Sequence, residues 1–303
     1  MSEKKQKVIF LLGPTAIGKT KASVSLAKKF NGEIISSDSV QIYKEFDIGS
    51  AKVTKDEMQG IKHYGIDIIE PTEEFSVFDY VQYTKNAIKE IAQKGKLPIV
   101  VGGTGLYVRA LTEGYNFGGA NKNKDFREKI EKRIEDEGLE SVYQILLEKN
   151  KDLALKTDRY NKVRVIRALE IAMFGSEKEK SESEFEFKIF ALSLDREKLY
   201  QRINKRVDIM FDEGVQKEVE NLYKAYGEVQ PMRAIGYKEL IPYLKGEKTL
   251  SECKDLIKQH TRNYAKRQQT FLRGMENINF IDVEDFENAL TNMEKQIKDF
   301  IER

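Results

Sequence analysis

The stretch Gly13-Pro14-Thr15-Ala16-Ile17-Gly18-Lys19-Thr20 decides how this chain is read. It follows Val8-Ile9-Phe10-Leu11-Leu12, a continuous apolar run with β-formers at its start, and opens a helical pattern that continues to Phe30. Strand, glycine-rich turn and helix N-terminus in that order form a phosphate cradle. Gly13 and Gly18 permit backbone angles that a side chain would obstruct, so successive N–H groups can turn inward at phosphate oxygens. Lys19 adds a point charge, and the Thr20 hydroxyl is placed to ligate Mg2+. The cradle specifies phosphate but no reaction: kinases, nucleotide hydrolases and diphosphate-releasing transferases all use it.

Two further strand ends point at the same place. Glu33-Ile34-Ile35-Ser36-Ser37 reads as a short strand ending at Asp38-Ser39-Val40-Gln41. An acidic residue just past the carboxyl end of such a strand faces the ligand crevice of an α/β sheet. Asp38 therefore has three readings: a Mg2+ ligand, directly or through water, a general base, or a turn-forming aspartate. Leu97-Pro98-Ile99-Val100-Val101 is apolar throughout, as a strand covered on both faces should be, and runs into Gly102-Gly103-Thr104-Gly105. Between them, 47–52 and 63–67 read as loops, and helical spacing over 75–93 starts at a Ser76 cap. Strands alternating with helices through short connections predict a parallel, P-loop-like α/β sheet with helices on both faces.

From about Asn116 the character changes. Residues 117–124 form a polar, glycine-containing linker, 125–155 is charged and helical with a break at Gly138, and 160–174 is a further helix with basic residues near its start. Residues 176–186 are a low-complexity run of Ser, Glu and Lys, after which 187–194 alternates as a strand returning to the sheet. The expected division is an α/β core over 1–115 and 187–303, its C-terminal helices included, and an all-helical insertion over 116–186. Helical spacing then returns over 199–226, interrupted at Gly214. The later helix Leu250 to Arg273 holds six cations against Glu252 and Asp255, with Tyr264 and Phe271 interleaved, a pattern that suits a nucleic-acid surface.

Composition narrows the classes. With 52 Lys and Arg against 50 Asp and Glu, the net charge is +2, so any basic surface must arise by local clustering. A lone Cys253 excludes a disulfide framework and a cysteine-based zinc site, and no apolar run has the length of a membrane span. A cytoplasmic protein with no membrane partner is expected.

Read together, the motifs resemble the bacterial tRNA dimethylallyltransferases. The resemblance is carried by 13–20, Asp38-Ser39-Val40-Gln41-Ile42-Tyr43, Asp47-Ile48-Gly49-Ser50-Ala51-Lys52 and Val101-Gly102-Gly103-Thr104-Gly105-Leu106-Tyr107. It continues through Arg167-Ala168-Leu169-Glu170, Arg206-Val207-Asp208-Ile209-Met210, Ala234-Ile235-Gly236-Tyr237-Lys238-Glu239 and Thr261-Arg262-Asn263-Tyr264-Ala265-Lys266-Arg267-Gln268. The resemblance implies transfer of a dimethylallyl group from its diphosphate to N6 of the adenine just 3′ of the anticodon, position 37, with Mg2+. It assigns Asp38 the role of general base, places Thr15 on the substrate side of the cradle, and gives Arg233 the diphosphate to hold. It implies tRNA contacts from Asp38, Ser39, Val40, Gln41, Thr104, Arg127 and the stretch Val163, Arg164, Val165, Ile166 and Arg167, while Arg262, Lys266 and Arg267 suit the RNA phosphates. The insertion would grip the anticodon stem, and a monomer is expected.

Some positions depart from the family pattern. Ile17 stands where serine is common, Ser50 where threonine is, Phe271 where a tryptophan usually follows the threonine, and 176–186 is unlike the typical turn. Three rival readings stay open at this stage: a small-molecule kinase, a prenyltransferase for free adenine nucleotides, and a non-catalytic RNA-binding P-loop protein.

Overall fold

The computed structural model describes residues 5–112, 124–175 and 183–303. The boundary expected at 115/116, most of the 117–124 linker and residues 176–182 of the low-complexity run lie outside the described residues. The chain divides into two compact units, Met1–Thr112 with Ser183–Arg303, and Glu113–Glu182.

The first unit is built on six parallel strands: β1 (Gln6–Leu12), β2 (Gly32–Ser37), β3 (His63–Tyr64), β4 (Leu97–Gly102), β5 (Phe185–Ser193) and β6 (Ile278–Asp282). Their order across the sheet is β3-β2-β4-β1-β5-β6. Strand β1 is central and its apolar residues from Val8 to Leu12 are fully buried, which is why that stretch reads as unbroken hydrophobe rather than an alternation. Helices α1 (Lys19–Lys29), α2 (Lys55–Met58), α3 (Val77–Gln93) and α4 (Gly105–Thr112) follow the first four strands. The Ser76 hydroxyl accepts from Asp79 N while the Asp79 carboxylate accepts from Ser76 N, a reciprocal cap that fixes where α3 begins.

The register sets the site. Leu12 pairs with Gly102 and with Ala191, and Ser37 pairs with Gly102, so β1, β2, β4 and β5 end side by side. The cradle, Asp38 and the 102–105 turn therefore leave the sheet along one edge, and Thr104 N donates to Ser37 O at 3.3 Å.

The second unit comprises α5 (Lys124–Glu137), α6 (Leu139–Lys149), α7 (Lys151–Leu155) and α8 (Lys162–Phe174). Ile130, Val142, Leu146, Val165 and Leu169 form its own core. The fully buried Glu170 is held by Arg127, which forms a two-point pair with it (Nε to Oε1 3.1 Å, Nη2 to Oε2 2.7 Å), and by Arg167 at 2.6 Å. A buried carboxylate is tolerable only when paired this well. Glu170→Ala should cost about 2–3 kcal/mol in denaturant unfolding followed by helical circular dichroism, and Glu170→Gln less.

The remaining helices belong to the first unit: α9 (Arg196–Asp212), α10 (Val215–Tyr226), α11 (Ile241–Leu244), α12 (Leu250–Arg273) and α13 (Phe286–Glu302), with a 3-10 turn at Gln230–Arg233. The break expected at Gly214 separates α9 from α10. Several elements were not expected, among them the short helices α2 and α11 and the 3-10 turn. The two-residue β3 pairs with β2 in a segment that reads as loop. Helix α4 follows the glycine-rich turn directly, and β6 extends the sheet edge inside an acidic tail. Strand β5 also begins earlier than its alternation suggests, at Phe185. Pairing with a strand already in place supplies a regularity that five or fewer residues cannot announce alone.

Candidate active site

The cradle occupies the turn between β1 and α1. Gly18 sits in the left-handed region at φ 101°, which a side chain would disfavour, and α1 starts at the next residue. Ile17 is buried under the loop, so it contributes backbone only, as its unusual side chain requires. Lys19 Nζ lies over the loop, donating to the carbonyls of Gly13 (3.0 Å) and Pro14 (2.8 Å). Thr15 is pinned twice. Its N–H donates to Gln268 Oε1 at 3.1 Å, and its hydroxyl accepts from Arg206 Nη1 at 3.3 Å.

Gln268, buried on α12, uses its amide as a brace: while Oε1 takes the Thr15 N–H, Nε2 donates to Gly103 O at 3.0 Å. One side chain thus ties the cradle to the turn after β4. Arg206, on α9, also donates through Nη2 to Ala51 O at 3.3 Å. The cradle therefore carries two cations, Lys19 and Arg206. Burial, and then the neighbouring Arg206 charge, pull the Lys19 pKa down to about 8 against the opposing pull of Asp38. The Arg206 pKa is lowered by the same desolvation, yet arginine stays charged at any working pH. Two cations crowded into a partly dry crevice are what an anion such as diphosphate would relieve.

Asp38 forms a turn as well as facing the crevice. Its Oδ1 accepts from Val40 N at 2.9 Å and Gln41 N at 3.3 Å, which orients the carboxylate. Its charge is felt at Lys19 and Arg206, and also at Tyr80, Tyr107 and Tyr264. Burial first, with Asp38 adding to it, raises the phenol pKa of Tyr80 and Tyr264 to about 12, and burial with the neighbouring Tyr80 pushes that of Tyr107 well up. Tyr80 and Tyr107 stack with centroids 3.9 Å apart. Asp38 thus stands among neutral aromatic rings, in a crevice whose two cations sit at the cradle. Gln41 is held by donation to Ala51 O at 3.1 Å. Ser39 is exposed and Thr104 is half-buried at the turn.

Among the described residues there is no group of three or more His, Cys, Asp or Glu that could hold a metal. Thr20 on the first turn of α1 and Asp38 offer oxygen donors at the crevice. That set suits Mg2+, which keeps several waters and is bound through one or two protein oxygens together with substrate phosphates.

A match to the family model described as IPP transferase runs over residues 41–275. The chain belongs to the IPP transferase family. Along 98% of its length it is 44% identical to a "tRNA dimethylallyltransferase" of Streptococcus agalactiae, covering 99% of that protein. It also resembles the solved full-length tRNA isopentenylpyrophosphate transferase of Bacillus halodurans, at TM-score 0.76 and 40% identity over 99% of this chain and 97% of that one. A third relative is a eukaryotic dimethylallyltransferase described as acting on tRNA, at TM-score 0.83 and 30% identity over 98% of this chain and 80% of that one.

Within this family frame the remaining expected residues fall in different places. Arg233 is exposed at the end of the 3-10 turn, and the guanidinium seated on the cradle is that of Arg206. Arg206 carries a family motif but no role by resemblance. The signal for it was there: it flanks the buried stripe Ile203 and Val207 on α9, where a charge needs a partner. Gln268 and Tyr80 were likewise without a role. On α12, Arg262 is committed to Asn204 Oδ1 at 2.6 Å, whereas Lys266 and Arg267 are exposed. Lys254 and Lys258 both pair with Asp208, at 2.8 and 2.7 Å, so part of the helix charge is spent inside the fold. In the second unit Val165 and Ile166 are core residues, leaving Val163, Arg164 and part of Arg167 at the surface, with Tyr160 and Val163 largely exposed. Arg127 and Arg167 meet at Glu170.

A cavity of about 330 Å3 lies beside α12, lined by Arg196, Tyr200, Lys266 and Arg273 among others and containing no carboxylate. No helix among the described residues is long and apolar enough to cross a membrane.

Proposed function

We propose that this chain transfers the dimethylallyl group of dimethylallyl diphosphate to N6 of adenine 37 in tRNA, releasing diphosphate. The observation that carries the reading is the convergence of a two-cation cradle and an oriented carboxylate at neighbouring strand ends of one sheet. In the reaction the N6 lone pair forms a bond to C1 of the donor as the C1–O bond breaks, and the bonding electrons leave on diphosphate. The charge that develops on the leaving oxygens is met by cradle N–H groups, Lys19 and Arg206. Asp38 accepts the proton that N6 must lose, and its turn bonds to Val40 and Gln41 keep it aimed. Mg2+, held by Thr20 and the diphosphate with Asp38 at hand, would supply further neutralisation of that charge. Tyr80, Tyr107 and Tyr264 remain neutral beside Asp38 and leave it the group able to take that proton.

The adenine reaches the crevice by leaving its stack in the anticodon loop, at a cost of a few kcal/mol repaid by contacts with its edge and faces. Ser39, Val40, Gln41 and Thr104 lie where that base would enter. Lys266 and Arg267, with Arg196 and Arg273 of the basic cavity, suit RNA phosphates, and Val163, Arg164 and Arg167 are the surface that the second unit, a separate helical domain, offers to the anticodon stem. The double substitution Arg196→Gln with Arg273→Gln should reduce the slope of log K for tRNA binding against log salt by about 1.5–2. An unchanged slope would remove the cavity from the RNA footprint. A monomeric, cytoplasmic enzyme fits this reading.

The direct test offers labelled dimethylallyl diphosphate and Mg2+ to unmodified tRNA, beside free AMP and an ATP turnover assay. Label on N6 of the anticodon-adjacent adenine, with no ATP turnover, is the expected result. Label on AMP alone would make the chain a nucleotide prenyltransferase, and phosphate transfer from ATP would make it a kinase.

A further inference from the structure

Arg206 reaches the cradle from a helix, but half of its anchorage is a loop carbonyl. Nη2 donates to Ala51 O, which also accepts from Gln41 Nε2. Ala51 holds a left-handed backbone at φ 50°, uncommon for a residue with a Cβ, and this turns its carbonyl towards both donors. The 47–51 turn closes on itself through Ala51 N to Ile48 O and Lys52 N to Asp47 O, both at 2.9 Å, and its outward N–H groups need a further hold. The Glu218 carboxylate on α10 supplies it: Oε2 accepts from Ile48 N at 2.7 Å and Asp47 N at 3.3 Å, and Oε1 accepts from Gly49 N at 3.0 Å. Tyr237 completes the set, its hydroxyl donating to Glu218 Oε1 at 2.8 Å and accepting from Ser50 N at 3.0 Å. Four successive backbone N–H groups are thereby gathered by one carboxylate and one phenol.

The surroundings leave this clamp little play. Tyr237 is fully buried, its ring 4.8 Å from that of Phe46, and a Cβ at residue 49 would lie 2.5 Å from the ring, so only glycine fits there. The Tyr237 phenol is pushed well above its ordinary range by burial and by the Glu218 charge, which keeps it a donor.

We propose that Glu218 and Tyr237 are positioning residues that hold Arg206 over the cradle, acting through the 47–51 turn and the Ala51 carbonyl. The inference rests on the assignment of Arg206 to the departing diphosphate made above. It makes the Asp47-Ile48-Gly49-Ser50-Ala51 motif a strut, shaped from behind by α10, rather than a surface that touches substrate. In Glu218→Gln an amide NH2 replaces one acceptor oxygen and faces backbone N–H groups, which loosens the turn without emptying the space.

The experiment is a double-mutant cycle read by competitive inhibition with inorganic diphosphate against dimethylallyl diphosphate, using the full chain. Glu218→Gln should raise the inhibition constant about tenfold in the parent chain but less than about twofold in an Arg206→Lys background, because its route to the cradle is then already cut. Tyr237→Phe, which keeps the buried ring but releases Ser50 N and Glu218 Oε1, should lower the melting temperature equally in both backgrounds while its effect on the inhibition constant shows the same dependence on background, and it serves if Glu218→Gln does not fold. Equal factors in both backgrounds, or no effect in either, would overturn the inference while leaving Arg206 in place. If Arg206→Lys alone leaves the inhibition constant unchanged, the Arg206 assignment fails and this inference fails with it.

Discussion

Asp38→Asn should lower the single-turnover rate of dimethylallyl transfer by about three orders of magnitude while tRNA affinity stays within about threefold. The asparagine keeps an Oδ1 that accepts from Val40 N and Gln41 N, so the turn and the base-entry side of the crevice survive. What disappears is the negative charge and the ability to take a proton from N6. Asp38→Ala is the harsher variant because it also releases those two N–H groups, and some RNA affinity should go with them. Rate and binding are to be measured separately, by quenched transfer and by equilibrium titration of the same tRNA. A parallel fall of both in the asparagine variant would mean that Asp38 serves the RNA and not the proton.

The second large effect is expected at Lys19. Lys19→Met should cost about 100- to 1000-fold in kcat, the usual loss when a preorganised charge at a developing oxyanion is removed. The pH profile is more diagnostic. With a pKa lowered to about 8, Lys19 is protonated below that pH and becomes increasingly neutral above it. Diphosphate favours the protonated form, so kcat/KM for the donor, which reports the free enzyme, should have a descending limb near pH 8 that approaches tenfold per pH unit. Lys19→Arg should remove that limb because arginine does not titrate there. A limb that persists in the arginine variant belongs to another group, and the burial of Lys19 beside Arg206 would then have no kinetic consequence.

How far the sequence could be read depended on the range of the interaction. The cradle was legible because phosphate binding by backbone N–H groups needs glycine at set spacing beside a strand and a helix start, all within twenty residues. Asp38 and the 102–105 turn were legible as ends of apolar strands. The short edge strands β3 and β6 were not, since two and five residues carry too little pattern to outweigh polar neighbours. The basic helix α12 was found with its bounds, but its charge was misleading as a count. Lys254, Lys258 and Arg262 are engaged by Asp208 and Asn204 of α9, and only packing reveals that. The Val163 to Arg167 stretch was similar: helical period alone could not say which side of α8 is core.

By itself the sequence determined the parallel sheet, the phosphate cradle, the candidate carboxylate and the family resemblance, because each is written in local periodicity or in a motif of contiguous residues. Tertiary structure alone decided which arginine meets the cradle, that Gln268 joins it to the turn after β4, and that Glu218 gathers a turn 170 positions earlier in the chain. Those contacts form between side chains and backbone groups far apart along the chain. The helical pattern marks Arg206 as a charge beside the buried stripe of Ile203 and Val207 but cannot name its partner, and that is decided only when α9 brings the guanidinium to Thr15.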